Sequence, residues 1–237
     1  MIKLQTYCLE PADGSTKAAL SFNTEWLRMV INGEVRDKSD LLKSMGADPS
    51  LFYNHDTETG RTRVGYPLII YHYFKKLFYI TGINEGAFAL EILAGQYPSD
   101  FTMKGILFRG FRKENTSDDS ELGITGQLHS YQLIEWRPVH HTSRNAFMQM
   151  DMVAKVKELN LRLEKHITSQ LGKYLGINFG PLRIIIIDIT RVYEPVAYKM
   201  RHKYPAFDIR FTANAAFPAL ITLGNHQALG FGRIVPV

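Results

Sequence analysis

The order of strand and helix patterns in the first half of this chain constrains its fold most strongly. Strand-like alternation covers residues 2–9, 66–73, 77–81 and 101–111, and helical spacing of apolar residues covers residues 22–31 and 84–93. Lys75-Lys76 is predicted to turn the chain between the two middle strands, and Asn84 is predicted to cap the second helix. The resulting order, βαββαβ, predicts one ferredoxin-like unit.

The second half of the chain has a similar alternation after a polar interval. Residues 113–121 contain no apolar side chain and are predicted to form a linker or an exposed excursion. We predict strands over residues 128–136, 183–191, 217–223 and 233–237, and one long helix over residues 145–175. The fold class is therefore α+β, with two ferredoxin-like units side by side, in domains 1–120 and 121–237, and a glycine-rich loop near the C-terminus.

Composition excludes several classes of protein. The only cysteine is Cys8, which permits no internal disulfide and suits a reducing cytosol. No apolar run approaches the ~20 residues that a membrane helix needs, and the first residues resemble a strand rather than a signal peptide. We expect a soluble, cytoplasmic protein. No zinc-ligand spacing, nucleophile elbow or paired-aspartate metal pattern is present.

Charge is distributed unevenly along the chain. Residues 1–129 contain 14 Lys and Arg against 16 Asp and Glu, whereas residues 130–237 contain 14 against 7. A basic second half suggests a polyanionic partner, although surface charge for solubility is an open alternative. Lys155, Arg162 and Lys165 on the predicted long helix are candidate cations for such a partner.

Three glycines mark the connection between the last two predicted strands. Gly224, Gly230 and Gly232 permit positive φ and close backbone approach. Consecutive N–H groups in such a turn can form a concave nest for phosphate, with His226 and Arg233 adding donors and charge. A hairpin loop that uses its glycines only to turn is the alternative reading.

His55 is the histidine with the most suggestive surroundings. It follows the apolar pair Leu51-Phe52, with Tyr53 two residues before it and Tyr66 eleven residues after it. Imidazole exchanges a proton near neutral pH, and tyrosine can orient a phosphate. Such a set could cleave RNA by activating the 2′-hydroxyl and protonating the 5′-oxygen. A structural role for His55 as a cap or turn residue is the alternative.

Several segments of the chain form a recognisable set: Leu51-Phe-Tyr-Asn-His-Asp56, Arg63 to Tyr71, Gly82-Ile-Asn-Glu-Gly86, Tyr131 to Val139 and the glycine-rich end Phe217 to Ile234. Together they resemble a family of CRISPR-associated endoribonucleases that cut precursor CRISPR RNA within its repeats. The family belongs to the repeat-associated mysterious protein superfamily. Each motif is loose alone, but their order and spacing span most of the chain.

The resemblance implies two ferredoxin-like folds, repeat RNA as substrate, and cleavage without metal or cofactor to a 2′,3′-cyclic phosphate and a 5′-hydroxyl. His55 occupies the position expected for the family's catalytic histidine. Tyr53 stands where relatives often carry a second histidine. Asn225-His226-Gln227 replaces the usual Lys or Arg of the loop, which shifts phosphate binding toward backbone amides, His226 and Arg233.

The resemblance leaves partners and rival functions open. Repeat RNA is the expected partner, other subunits of a CRISPR effector complex are further candidates, and the chain would be a monomer or a homodimer. The first rival is a non-catalytic subunit that holds guide RNA. The second is an α+β protein-interaction module that uses no RNA.

Overall fold

The computed structural model describes residues 2–12, 24–54, 65–74, 77–103, 105–198 and 202–237. Contacts divide the chain into two compact units. Unit 1 comprises Met1–Ser120 and Ala228–Gly230, and unit 2 comprises Glu121–Gln227 and Phe231–Val237. Among the described residues, no helix is both long enough and apolar enough to cross a membrane.

Unit 1 contains a five-stranded antiparallel sheet with strand order β2-β3-β1-β5-β4. Strands β2, β3, β1 and β5 lie in the ferredoxin-like order, and β4 forms a short hairpin with β5 at the edge of the sheet. Helices α1, α3 and α4 cover the core, where Leu27, Phe52, Phe78, Leu90 and Phe108 are almost fully buried. The elements are β1 (Ile2–Pro11), α1 (Thr24–Asp37), α2 (Ser39–Ser44), α3 (Ser50–Tyr53), β2 (Ile69–Phe74), β3 (Leu77–Ile83), α4 (Glu85–Gly95), β4 (Phe101–Met103) and β5 (Ile106–Ser120).

Unit 2 contains a four-stranded antiparallel sheet with strand order β7-β8-β6-β9. This is again the ferredoxin-like order, but a loop with a 3₁₀ turn at Gln227–Leu229 stands where a second helix would connect β8 to β9. The elements are β6 (Gly123–Trp136), α5 (Arg144–Gln149), α6 (Met152–His166), a π-helical segment (Ile167–Gly172), α7 (Lys173–Leu175), β7 (Ile184–Tyr198), β8 (His202–Ala216) and β9 (Arg233–Pro236). The predicted double ferredoxin-like fold is confirmed.

The single long helix predicted over residues 145–175 is wrong. The chain leaves helical geometry at Met150 and Asp151, and the Asp151 carboxylate accepts a hydrogen bond from the Ala154 N–H at 2.8 Å. An aspartate in this position satisfies one of the unpaired N–H groups of a new helix and therefore starts α6. Helical periodicity continues across the break, which is why the sequence pattern did not reveal it.

The predicted linker over residues 113–121 is also wrong for most of its length. Strand β5 continues to Ser120 and pairs with β1, so that Gln5 lies opposite Thr116 and Tyr7 opposite Lys113. Backbone hydrogen bonds form a strand whatever the polarity of its side chains, provided a partner strand is present.

Two smaller predictions also need correction. The stretch over residues 217–223 forms no strand, and residues 220–223 form short backbone bridges to β9 and the residue before it. Asn84 is the N-cap residue of α4, as predicted, but its side chain accepts a hydrogen bond from the Lys3 N–H and makes no capping bond. The predicted turn at residues 75–76 lies outside the described residues.

A buried carboxylate holds an irregular turn of the second sheet. Glu135 has φ +51°, at a register shift between β6 and β8. Asp208 on β8 accepts hydrogen bonds from the Glu135 N–H at 2.7 Å and the Tyr193 hydroxyl at 2.9 Å. Burial, followed by the hydrogen bond to Asp208, raises the pKa of Tyr193 to about 12.

We predict that Asp208→Ala lowers the free energy of unfolding by about 2–3 kcal/mol, because it strands the Glu135 N–H and the Tyr193 hydroxyl. The control is Asp188→Ala, which removes an exposed ion pair with Arg210 at 3.2 Å and should cost less than about 1 kcal/mol. Urea unfolding of both variants measures the difference. Equal losses of unfolding free energy in the two variants would show that Asp208 does not support the irregular turn at Glu135.

Candidate functional site

The end of helix α3 is fixed by donors from two other elements of unit 1. The Tyr71 hydroxyl donates to the Phe52 carbonyl at 3.2 Å, and the Arg28 guanidinium donates to the Tyr53 carbonyl. Asn54 then adopts φ +50° and ends the helix. These bonds satisfy carbonyls that the last turn of a helix leaves unpaired. They set the direction of the chain immediately before His55, which itself lies outside the described residues.

The two tyrosines predicted to assist His55 are both held within unit 1. The Tyr53 hydroxyl donates to the Asn32 carbonyl on α1 at 3.5 Å, and burial raises the pKa of Tyr53. Tyr66 is only 6% exposed. Their assistance at a phosphate stays a prediction, and the Tyr53 contact with α1 is that of a side chain that supports the surrounding segment.

The three glycines of the C-terminal loop have the backbone conformations predicted for them. Gly224, Gly230 and Gly232 have φ of +95°, +73° and +70°. A Cβ on Gly232 would lie 1.9 Å from the Leu223 carbonyl oxygen, and one on Gly224 would lie 2.9 Å from that of Arg137. The loop therefore needs glycine both for the turn and for close backbone packing.

A glutamine from the π-helical segment holds the beginning of this loop. Gln170 accepts hydrogen bonds from the Gly224 N–H and from the Gln227 side chain, both at 2.9 Å, and donates to the Gly224 carbonyl at 3.1 Å. The N–H groups of Asn225 and Gly232 donate to the carbonyls of Arg137 and Glu135. Three loop amides proposed as a phosphate nest thus point to acceptors in the protein itself.

Beside the loop, an arginine and a histidine lie among aromatic rings. The Arg137 guanidinium is 3.5 Å from the centroid of the Phe231 ring, and its Nη1 lies 3.3 Å from Nδ1 of His226. Since arginine only donates, Nδ1 of His226 accepts, and the neutral ring carries its proton on Nε2. The His226 ring also meets the Tyr204 ring edge-on, with their centroids 4.6 Å apart. The His140 ring lies on the same Tyr204 ring, with a centroid distance of 6.3 Å. The structure thereby gathers nitrogen-bearing side chains next to the loop.

The predicted basic residues of the helix have different surroundings. Arg162 pairs with Glu158 at 2.7 Å and donates to the Pro138 carbonyl at 3.1 Å, so it joins α6 to the segment after β6. Lys165 is exposed, and Lys155 borders an apolar pocket. Burial lowers the pKa of Arg233, while the carboxylates of Glu135 and Asp208 oppose the shift.

Sequence reasoning missed Arg137, Gln170 and Tyr204. Gln170 falls in a continuous helical pattern, and its partners in the loop are 54 and 57 residues away in sequence. Arg137 had a signal in its place directly after a strand, but nothing in the sequence indicated the aromatic rings around it. Among the described residues, no group of three His, Cys, Asp or Glu side chains could hold a metal ion.

The comparisons with known proteins show what this fold is similar to. No protein-family model matches the sequence, and no curated protein matches it. Two crystal structures of Cas6b, one described as a CRISPR RNA processing endoribonuclease, match 100% of this chain and of their own at 18% identity, with TM-scores of 0.71 and 0.60. Csf5, described as a type IV Cas6 crRNA endonuclease, matches 100% of both chains at 12% identity and a TM-score of 0.60.

A third protein of this group was crystallised with RNA. The CRISPR endoribonuclease Cse3, bound to a 19-nucleotide RNA, matches 100% of this chain and 98% of its own at 12% identity, with a TM-score of 0.50. The chain therefore shares, along its whole length, the fold of CRISPR RNA-processing endoribonucleases.

We predict that Gly232→Ala destabilises the protein by at least about 2 kcal/mol more than Gly176→Ala. The two glycines have nearly equal φ, +70° and +69°, but a Cβ at Gly176 would meet nothing within 4 Å. The control should therefore cost only the backbone term of about 1–2 kcal/mol. Urea unfolding gives both values, and equal losses would mean that close packing at Gly232 is not needed.

A second prediction concerns His166, whose Nδ1 accepts a hydrogen bond from the Trp136 indole N–H at 3.2 Å. Desolvation, then Arg162 and Lys165, lower the pKa of His166 from 6.5 to about 4. Below pH 6.5, His166 therefore takes up a proton in the unfolded state but stays neutral in the folded state until about pH 4. Stability should be fully present above pH 6.5 and fall by up to about 1.4 kcal/mol per pH unit toward pH 4.

The variant that tests this is His166→Gln, which keeps an acceptor for Trp136 but does not titrate. Unfolding free energies measured from pH 7 to pH 4 should fall less steeply in the variant. Parallel curves would mean that His166 titrates normally in the folded protein.

Proposed function

We propose that this protein is an endoribonuclease that cuts precursor CRISPR RNA within its repeats without a metal ion. The observation that carries the proposal is the full-length fold likeness to Cas6b and Csf5. The sequence around residues 51–56 adds a histidine at the position where the family motif has its catalytic residue.

In this proposal His55 transfers a proton during attack of a 2′-hydroxyl on the neighbouring phosphate. A base removes the proton of the 2′-hydroxyl, and the 2′-oxygen bonds to phosphorus. The bond from phosphorus to the 5′-oxygen breaks, and an acid protonates that oxygen. The products are a 2′,3′-cyclic phosphate and a 5′-hydroxyl. His55 serves as the acid or the base of this reaction.

In this proposal the first unit supports the segment that precedes this residue. Arg28 and Tyr71 hold the carbonyls at the end of α3, two residues or fewer from Asn54, where the chain turns toward His55. A catalytic group within reach of its proton donor or acceptor must be positioned closely, because misplacement costs rate. In this proposal Tyr53 and Tyr66 mainly hold the segment, so their phenylalanine variants cost less than loss of His55.

RNA binding is proposed for unit 2. Lys165 is exposed on α6, Arg162 donates from α6 to the Pro138 carbonyl, and Arg233 begins β9 directly after the glycine-rich loop, with the His226 ring as a further hydrogen-bond donor from the loop itself. Neutralising phosphates with such cations releases counterions, so the affinity for repeat RNA should fall steeply as salt rises. The side chains of the loop, rather than the amides of Gly224, Asn225 and Gly232, would meet a phosphate.

We predict that His55→Ala lowers the single-turnover cleavage rate of repeat RNA by about 10²–10⁴-fold, because it removes one positioned proton-transfer group. The RNA dissociation constant should change little. Cleavage by the wild type should persist in EDTA and stop when the scissile nucleotide carries 2′-deoxyribose. The control is His129→Ala, a histidine on β6 whose ring bonds to Thr125 at 2.8 Å.

Two outcomes would contradict this assignment. Cleavage by His55→Ala at the wild-type rate would remove His55 from the reaction. Tight binding of intact repeat RNA by the wild type, with no cleavage, would favour the non-catalytic guide-RNA subunit instead.

A further inference from the structure

An apolar pocket of about 170 Å³ opens on unit 2, between helices α5 and α6 and strands β7 and β8. Its floor is formed by Phe147, Leu159 and Phe207, all almost fully buried. Its rim includes Met152 and Val192, which are 66% and 64% exposed. An apolar pocket with exposed apolar side chains at its rim is a typical feature of a binding site.

The size and lining of the pocket limit what can occupy it. A dry cavity of ~150 Å³ lined by apolar side chains accommodates a benzene ring, so this pocket fits one leucine, methionine or phenylalanine side chain. A nucleobase fits poorly, because its polar edge would lose hydrogen bonds to water. The Tyr193 hydroxyl, one of the few polar groups of the lining, already donates to Asp208.

The charges at the rim are positive. Lys155 borders the pocket from α6, and the exposed Arg191 guanidinium lies 4.5 Å from the ring centroid of Tyr193, which lines the opposite side. In the part of the chain that the structure describes, neither Lys155 nor Arg191 forms an ion pair. Neither Asp151 nor Asp208 lines the pocket: the exposed Asp151 carboxylate caps α6, and the buried Asp208 carboxylate holds the sheet.

We propose that this pocket is a docking site for an acidic amphipathic segment of another protein. One leucine, methionine or phenylalanine of that segment fills the pocket, and its Asp or Glu side chains meet Lys155 and Arg191. An amphipathic helix laid into an apolar groove is a recurring mode of peptide recognition. Met148, 45% exposed, and Met152 supply unbranched side chains that adapt to the shape of such a partner. The surface goes beyond RNA cleavage and does not depend on it.

The experiment uses the full-length protein and three designed peptides. The probe is a short α-helical peptide with two leucines one turn apart and flanking glutamates. Its twins carry lysines in place of the glutamates, or serines in place of the leucines. Binding is followed by anisotropy of the labelled peptide and by the methyl NMR signals of Met148 and Met152, with Met29 on α1 as an internal reference. The glutamate peptide should bind saturably and shift only Met148 and Met152, and both twins should bind more weakly.

Three variants, one of them a control, locate the contact. Met152→Gln should weaken binding of the glutamate peptide by about fivefold, because apolar burial is lost. Val153→Gln changes the adjacent residue, which is 82% exposed and does not line the pocket, and should bind normally. Lys155→Glu should weaken binding of the glutamate peptide by about fivefold and strengthen binding of the lysine peptide. Thermal midpoints close to wild type for all three confirm that folding is intact.

Several results would overturn the proposal. Equal binding of the lysine and glutamate peptides would show that the pocket does not select an acidic segment. Met148 and Met152 signals that change with protein concentration alone would identify a second copy of this chain as the occupant. Shifts caused by repeat RNA but not by the peptide would make the pocket an RNA contact. Shifts of Met29 as well would indicate non-specific adsorption.

Discussion

The close packing of one glycine against a carbonyl allows the last strand of this protein to join its sheet. Strand β9 pairs with β6, and the chain reaches it through a loop in which Gly232 donates its N–H to Glu135 while its Cα side faces the Leu223 carbonyl. Any larger side chain there would push the loop away from the sheet. Strand β9 has only four residues, so its pairing with β6 depends on the loop that leads into it.

The same loop is fastened at its other end by Gln170. This glutamine lies in a stretch of π-helix, a widened turn that is often found at functional sites. Its amide satisfies both the N–H and the carbonyl of Gly224. Under the proposed function, the loop therefore holds its side chains in place, and its bonded backbone amides do not form an open nest for phosphate. Its contribution to RNA binding would come from His226 and Arg233.

In the first unit, the comparable constraint is the polar network around helix α3. A helix of four residues cannot persist alone, and α3 depends on bonds from Arg28 on α1 and Tyr71 on β2. The burial of the Tyr71 hydroxyl, which strongly raises its pKa, follows from this role. The candidate catalytic histidine thus follows a segment whose position is set by the core of the unit.

The sequence alone determined the elements whose periodicity is local. Alternation over residues 66–73 and 77–81 indicated β2 and β3, and helical spacing indicated α1 and α4, because strand and helix periods can be read within a few turns of chain. The positive φ of Gly224, Gly230 and Gly232 was also predictable, since glycine clusters between strands have few other uses. His55 was found through its motif, and its role remains a prediction.

Only the tertiary structure decided the features that join distant parts of the chain. The polar residues 113–120 became a strand because β1 lies beside them, and Gln170 became the clamp of the loop because packing brings it to Gly224. The break before α6 depended on one capping carboxylate inside an otherwise continuous helical pattern. Pairing and capping contacts of this kind depend on three-dimensional proximity, and neither composition nor periodicity contains that information.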